Sequence, residues 1–86
     1  MPTYGITFAR SARKELQALP LNVTERILTK IESLASNPRP PGCKKLSGPT
    51  RLWRLRVGDY RIVYDIDDEE RVVDISVIRH RSVAYR

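Results

Sequence analysis

Arg54 and Arg56 alternate with Trp53, Leu55 and Val57, and Arg61 follows two residues after Gly58-Asp59. If the apolar series of this segment packs into a core, period-two alternation sends the three arginines to the opposite face of two adjacent strands. Like charges facing one another in a sheet are unfavourable, so such a grouping suits a bound anion, and the planar guanidinium fork matches phosphate. The same spacing also fits an ordinary exposed sheet face with three solvated arginines, and both readings stand at this point. A second basic group lies near the end, Arg79, His80, Arg81 and Arg86, with Tyr85 among them. His80 has an ordinary pKa of about 6.5, close enough to neutral for proton transfer. Lys44, Lys45 and Arg51 precede the first arginines and extend the positive charge.

The 86 residues carry a net charge of +6, which favours a polyanionic partner. Residues 1–50 hold eight Lys or Arg against three acids, and residues 51–86 hold eight Arg against seven acids. Most of those seven acids crowd into residues 65–70, so the remaining positive charge is concentrated around the two arginine groups. One cysteine and one histidine cannot supply a disulfide framework or an ordinary structural zinc site, and no metal or cofactor is expected. No apolar run approaches the roughly 20 residues that span a bilayer, and the first residues lack a basic-then-apolar signal. The expectation is one cytoplasmic domain over residues 1–86, with no membrane partner.

The elements that must hold these groups are legible in the periodicity. Tyr4, Ile6 and Phe8 alternate as in a half-buried strand. Ala12, Leu16 and Leu19 fall at helical spacing over residues 10–19, and Pro20 stops that helix. Val23, Ile27, Ile31 and Leu34 form the apolar stripe of a second helix, with Asn22 as expected N-cap and Glu25 three residues on. Pro38, Pro40, Pro41 and Gly42 impose an irregular connection. Residues 52–57 and 60–66 then form a hairpin around Gly58-Asp59, and residues 67–70 make a polar turn into an apolar strand over 72–78. Unbroken alternation from Ile75 and Val77 would bury Arg79 and Arg81, so that strand must end or bulge before them. The fold class is α+β, a helical hairpin packed on one face of an antiparallel sheet in the order β-α-α-β-β-β.

This order resembles the RelE/ParE toxin superfamily over essentially the whole chain, most specifically its RelE-like branch. The strings that carry the resemblance are Lys45-Leu46-Ser47-Gly48, then residues 53–64 from Trp53 through Gly58-Asp59-Tyr60-Arg61 to Tyr64, and His80-Arg81-Ser82-Val83-Ala84-Tyr85-Arg86. The resemblance implies a toxin of a type II toxin-antitoxin system, an endoribonuclease that cuts messenger RNA in the ribosomal A site. It implies no metal: the RNA's own 2′-hydroxyl attacks the adjacent phosphate. It also implies a cognate, RelB-like antitoxin protein, with message on the ribosome and ribosomal RNA as the other partners.

Such a reaction needs a base at the 2′-oxygen, positive charge around the phosphorane and a proton for the departing 5′-oxygen. With no pair of histidines, the family's positions place this work on Arg54, Arg56, Arg61, Arg81 and Tyr85. Arg61 is assigned transition-state stabilisation. Arg54 and Arg56 stand where many relatives have lysine, and because arginine is not deprotonated near neutral pH they are assigned to the RNA backbone rather than to acid catalysis. Tyr85 is the candidate base once nearby cations lower its phenol pKa, and His80 is a further candidate contributor. Lys44, Lys45 and Arg51 are expected to contact RNA or the ribosome. Two other functions fit parts of the pattern: a ParE-like DNA gyrase inhibitor, and an RNA-binding module without catalysis. The terminal His-Arg and Tyr speak against the first. The second should interleave exposed aromatics with its arginines, whereas Tyr60 and Tyr64 share the core parity.

Overall fold

The computed structural model describes residues 3–83. Strand β1 (Gly5–Phe8) leads into helices α1 (Arg10–Gln17) and α2 (Leu21–Ser33), followed by β2 (Lys44–Lys45), β3 (Leu52–Val57), β4 (Tyr60–Asp67) and β5 (Val72–His80), with Arg81–Val83 as one 3₁₀ turn. The sheet order is β1-β5-β4-β3-β2. β5, β4, β3 and β2 are antiparallel neighbours, whereas β1 lies parallel to β5. The expected architecture is present, and Lys44-Lys45 adds a fifth, edge strand to it.

The helices bury Ala12, Leu16, Ile27 and Ile31 against Leu55, Val57, Ile62, Tyr64, Ile66, Val73, Ile75 and Ile78. Their apolar stripes have no other surface on which to close. Asn22 is not the cap of α2: Pro20 holds that position, and its carbonyl accepts the amides of Val23 and Thr24, both at 3.0 Å. A proline in extended conformation already presets the turn into the helix, which moves the start two residues ahead of the sequence expectation. Tyr64 is fully buried, and its hydroxyl donates to the carbonyl of Pro38 at 2.9 Å. That bond ties the proline-rich connection to the sheet. Burial raises the phenol pKa, so Tyr64 stays protonated and apolar in character.

β5 changes face part-way along. Val63 pairs with Val77 but Tyr64 pairs with Ile75, so Ser76 is an extra residue, a β-bulge. Ile75 and Ile78 are therefore both buried although three residues apart. Beyond the bulge, Arg79 shares a face with Arg61 and His80 shares one with Tyr60. This is the interruption that the alternation demanded.

The β3–β4 turn depends on Gly58, whose φ is 59° and whose added Cβ would lie 3.2 Å from Nη1 of Arg26 on α2. Gly58→Ala is expected to lose about 1 to 2 kcal/mol from the left-handed backbone alone, read as a lower urea midpoint at unchanged slope. An unaltered midpoint would mean that the turn relaxes to another type.

Candidate RNA-binding and catalytic face

Strand register assembles the positive groups. Arg56 pairs directly with Arg61, and Arg61 with Arg79, giving one transverse row across β3, β4 and β5. The next row runs Lys44, Arg54, Val63, Val77. Residues paired across a sheet project from the same side, so Lys44, Arg54, Arg56, Arg61 and Arg79 all belong to the face opposite the core. Neighbouring strands are about 4.8 Å apart, which sets three guanidinium-bearing positions within about 10 Å. Val63 and Val77 form a half-buried apolar strip beside them.

The surroundings set each side chain differently. Arg61 and Arg54 are half-buried, whereas Arg56 is exposed and turns its Nε to the carbonyl of Gly58 at 3.2 Å. Arg79 gives its Nε to Glu15 of α1 at 3.2 Å. The positive row stops abruptly toward the other end of the face, where Asp65 stands opposite Asp74. Asp74 accepts from the Thr7 hydroxyl at 2.6 Å, and Asp65 accepts from Arg51 at 3.1 and 3.2 Å. The face is thus polarised along its strands, and a phosphate chain would be held at the basic end.

Other expected site residues are distributed less uniformly. Lys44 joins the basic face, but Lys45 pairs with Trp53 and so lies on the helix side. Arg51 is engaged by Asp65 and by Asp67, the latter at 3.3 Å, and these carboxylates raise its pKa further. His80 is on the core-side parity, edge-on to Tyr60 with ring centroids 5.2 Å apart. Its Nδ1 accepts the Ser82 amide at 3.2 Å, which assigns the neutral ring's proton to Nε2. Arg81 opens the 3₁₀ turn, exposed, and its amide donates to the carbonyl of Asp59 at 2.7 Å. That bond holds the chain beside the β3–β4 turn, at the basic end of the sheet. Tyr85 and Arg86 lie outside the described residues. Arg79 was not among the expected catalytic or binding residues. Its signal was the parity conflict at the end of β5, which called for a bulge without locating it.

A cavity of about 370 Å³ sits at the other end of the sheet, lined among others by Arg39, Lys45, Arg51, Trp53, Asp67 and Asp68. Its charges are largely spent on one another: Arg39 bridges Asp68 at 2.8 Å while lying 5.1 Å from the Trp53 ring, and the Tyr4 hydroxyl donates to Asp68 at 2.7 Å. The basic face, in contrast, keeps an excess of positive charge.

The cavity network does predict an acid response. Hydrogen bonds from Arg39 and then Tyr4 lower the Asp68 pKa, and the Glu70 amide with Arg51 lowers that of Asp67. A carboxylate with a folded pKa below its unfolded value, about 3.9, contributes stability above that value and loses it as pH falls through the folded one. Urea midpoints are expected to drop from about pH 5 downward, with Asp68→Asn flattening part of the fall. An equally steep fall in the variant would assign the acid sensitivity elsewhere.

The family model described as ParE toxin of type II toxin-antitoxin system, parDE, matches residues 6–85. The chain belongs to the RelE/ParE toxin superfamily. Toxin RelE of Mycobacterium tuberculosis is 33% identical over 84 residues, spanning 96% of this chain and 87% of that protein. Among solved structures, RelE in the archaeal RelE-RelB complex from Pyrococcus horikoshii matches with a TM-score of 0.83 at 30% identity, over 98% of this chain and 100% of that one. The intact Escherichia coli RelBE toxin-antitoxin complex contains a chain matching with a TM-score of 0.78 at 28% identity, over 90% of this chain and 95% of that one. This RelE-type chain therefore shares its full element order with toxins of type II systems. Among its described residues, no helix is long and apolar enough to cross a membrane.

Proposed function

We propose that this RelE-type toxin is an endoribonuclease that cuts messenger RNA in the ribosomal A site and is silenced by a cognate RelB-like antitoxin. The observation that carries the reading is the register of three arginines directly across β3, β4 and β5, with Lys44 and Arg54 in the adjoining row. In the proposed step a 2′-oxygen gives up its proton and bonds to the adjacent phosphorus. The bond to the 5′-oxygen breaks, leaving a cyclic phosphate on one fragment and, once protonated, a 5′-hydroxyl on the other. Arg61 stabilises the growing charge, and Arg54, Arg56 and Lys44 hold the backbone. Tyr85 is the proposed base, with Arg81 lowering its pKa and His80 as the alternative proton carrier. The RelE structures solved with RelB supply the model for the antitoxin, which covers the toxin until it is released.

The site has no matched acid and base of ordinary pKa, so the ribosome must contribute the in-line geometry. Purified toxin is expected to cut message on programmed ribosomes while leaving the same RNA intact when naked at physiological salt. Equal cutting of the two RNAs would remove the ribosome from the mechanism. The family model's ParE description supports a second reading, gyrase inhibition, which a supercoiling assay with the same preparation tests. Inhibited supercoiling with uncut message would decide for it.

A further inference from the structure

Strand β1 ends its pairing at Phe8 opposite Ile75, and the Ala9 amide makes the last bond on that side, to the Ile75 carbonyl at 2.8 Å. Past the bulge, β5 continues without β1, and its edge amides need another acceptor. Glu15 of α1 supplies one. Its Oε1 accepts the Ile78 amide at 3.0 Å, and its Oε2 accepts Nε of Arg79 at 3.2 Å. The Glu15 side chain is 32% exposed and Arg79 48%, so the pair lies at the rim of the basic face, accessible to a large polyanion. An arginine held through Nε keeps the four N–H bonds of its two terminal nitrogens for another acceptor. The second oxygen is anchored on backbone, which makes Glu15 a rigid bracket rather than a mobile counterion.

We propose that Glu15 is the positioning residue that sets Arg79, the third guanidinium of the row, where an RNA backbone can meet it. This rests on the message-cleaving reading above. Glu15 faces the site from α1, so it ties the placement of one arginine to the packing of a helix on the opposite side of the sheet. It also adds one negative charge to the local field, so its effects on binding and on rate should have opposite signs. Removing it should leave phosphate affinity no weaker while slowing the chemistry.

The test uses Glu15→Gln, which keeps an oxygen for the Ile78 amide but removes the charge facing Arg79, together with Arg79→Gln and the double variant. On programmed ribosomes, Glu15→Gln is expected to slow single-turnover cleavage about tenfold, less than the loss of a direct charge-stabilising donor. In the Arg79→Gln background it should cost nothing further. Binding of a short labelled single-stranded RNA, followed against salt, reads the same site without cleavage. Arg79→Gln should reduce the slope of log affinity against log salt by about 0.7, and Glu15→Gln should leave affinity equal or higher. The contact itself is read from solvent exchange at Arg79 Nε–H, which should quicken in Glu15→Gln. Independent, multiplying losses in the double variant would overturn the positioning role, as would unchanged exchange. An unaltered salt slope in Arg79→Gln would overturn the phosphate contact. If wild type leaves ribosome-bound message uncut, the nuclease reading fails alone, and the salt slope and exchange rate still decide on Arg79 and Glu15.

Discussion

Arg61→Ala is expected to slow single-turnover message cleavage at saturating toxin by about 10²- to 10³-fold, equivalent to about 3 to 4 kcal/mol of transition-state stabilisation. Arg61 is the middle of the row, opposite Arg56 on one side and Arg79 on the other, so it meets a bound phosphate wherever along the row that phosphate sits. The charge it is asked to stabilise grows only as the phosphorane forms, and its loss should therefore appear in turnover more than in ribosome affinity. The fold should survive. Removing the central member of three opposed like charges relieves repulsion, which offsets the lost packing of its half-buried stem. Cleavage at the wild-type rate by a folded Arg61→Ala protein would show that the basic face is not where the reaction occurs.

The second large effect is expected at Tyr85. Tyr85→Phe keeps the ring and removes the phenolic oxygen, so a loss of about 10²- to 10⁴-fold in cleavage, the usual worth of a positioned proton acceptor, reports the hydroxyl's chemistry. The Arg81 amide is fastened to Asp59 at the basic end of the sheet, and four residues of chain reach at most about 14 Å from there. That radius includes the Arg56–Arg61 row, whose hairpin contains the anchoring carbonyl. A phenol that serves as base must first lose its own proton, so the wild-type rate should rise with pH, and the rise should vanish in Tyr85→Phe. If the variant cuts as fast as wild type, Tyr85 is not the base. The proton then passes through another group, and His80→Gln becomes the informative substitution.

Much of this protein follows from local rules. The alternation of Trp53, Leu55 and Val57 with Arg54 and Arg56, interrupted by Gly58-Asp59, is enough to place three arginines away from the core, because side-chain direction in a strand has a period of two. The helices follow in the same way from the spacing of Val23, Ile27 and Ile31 and from Pro20. Local rules do not say which strand lies beside which, or in what register. Only the folded sheet sets Arg61 opposite both Arg56 and Arg79, puts Lys44 beside Arg54 while sending Lys45 to the other side, and lays β1 parallel to β5. The bulge at Ser76 is the sharpest instance. A conflict of parity could be read from Ile75, Val77 and Arg79, but its location depends on how Ile75 and Ile78 both fit under the helices, which is a packing matter involving residues far apart in the chain. Glu15 is more remote still, 64 residues from the arginine it holds, and no sequence pattern brings an acid on the first helix to a cation at the end of the last strand.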